Sequence, residues 1–84
     1  MAEHAVDFVL RGDVITLDAL LKATGLASSG GAAKTMIANG EVQVDGLVEL
    51  RRGRKLRGGE QVAVFQHRIR TVAAGAQVDE TALK

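Results

Sequence analysis

The 84-residue sequence predicts an α+β domain in which an αα-hairpin packs on a small, mainly antiparallel β-sheet, and three observations predict it. Leu17, Leu20 and Leu21 keep the i, i+3, i+4 spacing of one buried helix face, and a second helical run follows within a few residues. From Glu41 the apolar period switches to two. Asp45-Gly46 then stands between Val42-Gln43-Val44 and a further apolar run, and this pair is the one a two-residue type I′ hairpin turn favours.

Taken in chain order, Ala5 to Leu10 alternates with Val6, Phe8 and Leu10 on one side, which predicts a short strand ending at the turn pair Gly12-Asp13. Thr16 is the expected N-cap of a helix through Lys22. Its hydroxyl should accept an unpaired backbone N–H, and Asp18 opposes the dipole charge of the helix start. Gly25 ends that helix. Ser28-Ser29-Gly30-Gly31 opens a second one, which runs to about Ala38 with Ala33, Met36 and Ile37 inward, before Asn39-Gly40 supplies a left-handed stop. Leu47 to Leu50 returns as the partner strand of the hairpin. Arg51 to Gly59 is a glycine-punctuated basic loop with an extended middle around Leu56, and Gln61 to Phe65 forms another strand. Beyond Phe65 the pattern decays, so the expectation is one domain over residues 1–70 and a flexible tail over 71–84.

A chain of this length forms one domain, because independent cores run to roughly 100–150 residues. It buries only about 60% of the surface of its unfolded form, which argues against a large enclosed active site. The apolar content of 46% suffices for a core, and with Phe8 and Phe65 as the whole aromatic complement, both expected inside, that core is aliphatic. The absence of cysteine excludes disulfides and thiolate metal sites and fits a reducing compartment. No apolar run approaches the roughly 18 residues of a membrane span, and Met1-Ala2-Glu3-His4 lacks the basic and apolar regions of a secretory signal. A cytoplasmic monomer with no membrane partner and no cofactor is expected.

The net charge of +1 conceals a segregation of sign. Residues 1–50 carry a balance of −4, residues 51–70 a balance of +6, and the remainder −1. Five of the seven residues from Arg51 to Arg57 are cationic: Arg51, Arg52, Arg54, Lys55 and Arg57. Such a cluster focuses its field and suits a polyanion, although a charge run can also be simply a solvated loop.

Catalytic constellations are missing. The two histidines, His4 and His67, stand far apart with no nucleophile beside either, and with scattered carboxylates they make no metal-ligand spacing. Asp7, Asp13 and Asp18 flank a turn or a helix start rather than forming an acid–base pair. Gly25-Leu26-Ala27-Ser28-Ser29-Gly30 has the glycine spacing of a P-loop, yet Gly31-Ala32 follows where Lys and Ser or Thr must reach the phosphates and magnesium. A helix beginning Ser29-Gly30-Gly31 nevertheless presents N–H groups and a positive dipole end, with Lys34 close behind. Two readings of the glycine pair stand side by side: close approach of an anion, or relief of a clash with the first helix.

Together, Thr16-Leu17-Asp18-Ala19-Leu20-Leu21-Lys22, Gly25-Leu26-Ala27-Ser28-Ser29, Ala33-Lys34-Thr35-Met36-Ile37 and Gly40-Glu41-Val42-Gln43-Val44-Asp45-Gly46 resemble the S-four RNA-binding domain, over roughly residues 8 to 65. Gly30-Gly31 and Val48-Glu49-Leu50-Arg51-Arg52-Gly53 resemble its small stand-alone YbcJ-like branch. The resemblance implies an alpha-L motif that binds and does not catalyse, that takes structured RNA, ribosomal or transfer RNA above all, and that uses helix two and the adjoining loop. It makes Lys34 the basic helix position. Members commonly carry Arg after the second serine, where this chain has Gly30, and the Arg51 to Arg57 loop is expected to compensate.

Phosphate contacts supply affinity, and base edges supply sequence information. Arginine suits the first task because its planar fork matches two phosphate oxygens. With no Tyr or Trp, the stacking platform used for unstructured strands is missing, which favours folded RNA. Preference for RNA over DNA is what the resemblance implies. Two alternatives remain: an adaptor whose basic loop docks an acidic surface on a ribosome-associated protein, and a target-binding arm for a modifying enzyme acting in trans.

Overall fold

The computed structural model describes residues 4–74. Its elements are β1 (His4–Val9), β2 (Ile15–Thr16), α1 (Leu17–Ala23), α2 (Gly30–Ala38), β3 (Val42–Val44), β4 (Leu47–Val48), β5 (Lys55–Leu56), β6 (Gln61–Val64) and β7 (His67–Val72). Five of these strands make one sheet in the order β1-β7-β6-β3-β4, antiparallel throughout except for the parallel pair β1–β7. A separate ribbon pairs β2 with β5, Ile15 opposite Leu56.

Helix α1 buries the expected leucine face completely, and α2 lies against it with Ala33 and Ile37 inward. Met36 is only half-buried. Opposed residues in a sheet share a face, so the row Val44–Val62–Ile69 meets the helices while the row Gln43–Ala63–Arg68 faces away. The result is one aliphatic core joining both helices to one side of the sheet. Each fully buried Leu or Ile contributes about 1.5–3 kcal/mol. The expected αα-hairpin on a mainly antiparallel sheet is therefore the fold. The turn between β3 and β4 is of the expected kind, with Asp45 at φ 53° and Gly46 at φ 86°, the two positive values a type I′ turn requires.

Several elements depart from expectation. Thr16 is the N-cap of α1, but its hydroxyl accepts no helix N–H and instead donates to Asp18 Oδ1 at 2.6 Å. Backbone carbonyls of the basic loop take the helix donors in its place. Strand β4 stops at Val48 rather than Leu50, because the Glu49 side chain turns toward Arg51 and Arg54 and leaves Leu50 exposed. Phe65, expected inside, is 78% exposed in the turn after β6.

The largest difference is β7, which occupies the stretch where the pattern decays. Ile69 and Thr71 point inward while Arg68 and Arg70 point out, and Thr71 is fully buried. The expected domain boundary at residue 70 thus falls inside a strand that β1 and β6 both hold. The rest of the expected tail, from residue 75, lies outside the described residues.

Candidate nucleic-acid interface

The first backbone N–H groups of a helix have no partner within it, and in α1 the basic loop supplies two. Leu17 N–H donates to the Arg54 carbonyl at 2.9 Å and Asp18 N–H to the Arg52 carbonyl at 3.1 Å. The loop is pinned again where Leu56 enters the core through the β2–β5 pairing. Its far end is tied to the sheet: Arg57 N–H and Gly58 N–H both donate to the Glu60 carboxylate at 2.9 Å, and Gly59 N–H donates to the Thr71 carbonyl at 2.7 Å. Burial alone would raise the Glu60 pKa, but the Thr71 hydroxyl and these backbone donors outweigh it and leave the carboxyl below its ordinary value.

Glu49 divides the loop cations into two kinds. Its carboxylate, only 10% exposed, accepts from Arg51 Nε at 2.9 Å and from Arg54 Nη1 at 2.8 Å. These bonds, from Arg51 foremost and then Arg54, hold its pKa at about 2 against an ordinary 4.5. Arg54 is committed to this contact, with 31% of its side chain exposed, whereas Arg51 keeps 73% open to solvent. Arg52, Lys55 and Arg57 are exposed and make no salt bridge to a described residue. The outward-facing charge is therefore carried by Arg51, Arg52, Lys55 and Arg57, and Arg54 is chiefly a brace.

At the start of α2, Ser29, Gly30 and Gly31 are exposed, and Ser29 Oγ accepts from Ala32 N–H at 3.0 Å. A Cβ on Gly30 would meet nothing within 4 Å, and one on Gly31 only Ser29 Oγ at 3.9 Å. Relief of a clash with α1 is thus not the reason for the glycines. Lys34 is exposed on the same helix. A groove lined by Thr16, Asp18, Ala19, Lys22 and Gly30 connects this helix start to the first turn of α1, whose Asp18 N–H is the one bound by the Arg52 carbonyl. One helical turn therefore adjoins both the basic loop and the start of α2.

Three residues of consequence are not evident from sequence. Lys22 lines the groove, and its signal was its i+4 spacing from Asp18 on the polar side of α1. Glu49 sits two residues before Arg51, a proximity that acquires meaning only when the chain folds back. Phe65 carries no sequence signal of exposure.

This arrangement offers several point contacts to a polyanion. Among the described residues no three His, Cys, Asp or Glu side chains gather to hold a metal ion, and no helix is long and apolar enough to cross a membrane.

Residues 8–72 match the family model of the S4 domain. The chain is similar to YbcJ of Escherichia coli (strain K12), by name a candidate RNA-binding protein, at 44% identity over 54 residues, covering 64% of this chain and 77% of that one. YbcJ of Shigella flexneri matches with the same identity and coverage. Among solved structures, the solution structure of YbcJ from E. coli, described as revealing an alpha-L motif involved in RNA binding, aligns with a TM-score of 0.62 and 40% identity. That alignment covers 80% of this chain and 86% of the other.

Proposed function

Because the chain belongs to the S4 domain family, we propose that it is a non-catalytic module that grips the phosphate backbone of structured RNA with its basic loop and the start of α2. The observation that carries this reading is the display of Arg51, Arg52, Lys55 and Arg57 on a loop pinned to α1 and to the sheet. A pinned loop has little conformational entropy left to lose when it meets a ligand, so its charges act as a prearranged set. Lys34, with the exposed Ser29-Gly30-Gly31 backbone, adds a second group of contacts across the groove. A folded RNA, ribosomal or transfer RNA by family expectation, presents phosphates in a fixed array that such a set can read by shape. The module acts as a cytoplasmic monomer without a cofactor.

The test is a salt titration of binding to an RNA hairpin, a matched DNA hairpin and an unstructured RNA strand. The intact protein is compared with a variant in which Lys34, Arg52, Lys55 and Arg57 are all replaced by Ala. Arg51 and Arg54 are kept, since removing them would strand the Glu49 carboxylate. Four phosphate contacts predict a fall of about three powers of ten in affinity per tenfold rise in salt. The variant should fold, bind weakly and lose most of that slope. A variant that binds the RNA hairpin as tightly as the intact protein would place the site elsewhere.

Exposed Leu47 and Leu50, flanking the Glu49–Arg51 pair, favour a second reading in which this corner docks an acidic, partly apolar surface of a ribosome-associated protein. Nuclease treatment separates the two: a protein partner stays bound after the RNA is digested.

A further inference from the structure

Phe65 and Gln66 form the two-residue turn between β6 and β7, with Val64 paired to His67. Phe65 has φ 54° and Gln66 is not among the residues with positive φ. A positive value at the first central position alone is the pattern of a type II′ turn, which favours glycine there. A phenylalanine in this conformation strains the backbone and gains little from the core, for the residue is 78% exposed. Phe8 is half-buried, so of the two phenylalanines Phe65 is the one exposed to solvent. Local stability and burial both select against the residue, which leaves an intermolecular contact as its use.

Resting on the RNA-binding reading, we infer that Phe65 stacks on an unpaired nucleobase of the bound RNA. Every base has a π-face, and an exposed ring on a stiff hairpin offers a stacking surface with few side-chain torsions to freeze. The neighbouring side chain fits the same occupant: Gln66 is exposed in the same turn, an amide of the kind that meets base edges. Strand β6 begins just after the basic loop and ends at Val64, immediately before Phe65, which sets the Phe65 backbone about 13 Å from the start of that strand. Phosphate contacts and the stacked base then form two ends of one footprint, and the ligand is a paired RNA interrupted by a loop or bulge rather than a continuous duplex.

Binding is measured to an RNA hairpin carrying 2-aminopurine in its unpaired loop and to a blunt, fully paired RNA duplex of the same stem. Phe65→Leu keeps apolar bulk and removes the π-face, Phe65→Gly suits the turn, and Phe65→Trp enlarges the ring and is the sole tryptophan of the chain. The Leu and Gly variants should bind the hairpin about tenfold more weakly, from the stacking value per base, and bind the duplex unchanged. The Trp variant should hold the hairpin at least as tightly as the native protein, with quenched emission. The Gly variant should melt above the native protein, so that its weaker binding is not a folding defect. A Leu variant that binds the hairpin like Phe, or equal losses on both RNAs, would overturn the stacking contact while leaving the phosphate grip intact. Failure of the native protein to bind either RNA would remove the RNA-binding reading and this inference with it.

Discussion

At the scale of single residues, Glu49 is the side chain on which the geometry of the basic loop depends. It holds Arg51 and Arg54 in one place and lowers the positive potential at the root of the loop. Its pKa falls from 4.5 to about 2 on folding, so its contribution is fully present above about pH 4.5 and is lost as pH falls through about 2. Because the Arg51 arm is exposed and screened, that contribution is about 1–2 kcal/mol rather than the full value of the shift. Glu49→Gln should therefore lower stability by about that much at pH 7 and flatten the loss of stability between pH 4.5 and 2, as read by urea melts across that range. Sequence patterning could not reveal this role, since a lone carboxylate next to an arginine run looks like ordinary surface charge. Asp45-Gly46 was legible for the opposite reason: its chemistry is complete within two residues.

At the scale of elements, the two helices and the β3–β4 hairpin were legible because each carries its own period, cap or turn. The β2–β5 ribbon was not, for two-residue strands have no period at all, although the extended middle of the loop around Leu56 was expected and is β5. Strand β7 does alternate, Arg68 and Arg70 against Ile69 and Thr71, but with a single strong apolar residue the pattern is easily lost among polar neighbours. The return of the loop to the sheet depends on Gly58, which has φ 120° and whose added Cβ would lie 2.7 Å from the Ala73 backbone nitrogen. Neither a side chain nor the backbone opposite can yield easily there. Gly58→Ala should cost about 2–4 kcal/mol by chemical denaturation, whereas Gly53→Ala, with open space around it, should cost under about 1 kcal/mol. Of the candidate site, the loop cations and the start of α2 were legible from charge and motif. The division of the cations into outward and braced was not, because it depends on how the loop folds over Glu49.

At the scale of the whole molecule, the segregated charge of the sequence becomes a division of labour, with helices and sheet forming a scaffold on which one loop displays the cations. That scaffold needs its last strand. Thr71 is buried, its hydroxyl bonds to Glu60, its carbonyl accepts from Gly59, and Val72 accepts from Leu10. We propose accordingly that the folding unit extends past residue 70. A chain ended at residue 74 should melt at least about 5 °C above one ended at residue 70, as followed by circular dichroism; equal melting would return the boundary to 70. The parallel pairing of β1 with β7 brings together the two ends of the described chain, with Val6 opposite Ile69 and Val9 opposite Val72. Contacts between such distant segments close late, after local pairs such as the αα-hairpin and the β3–β4 turn. During synthesis β1 emerges before β7 and waits, its backbone edge unpaired, until β7 has cleared the ribosome. The order of translation thus imposes an interval in which β1 stands without the strand that shelters it.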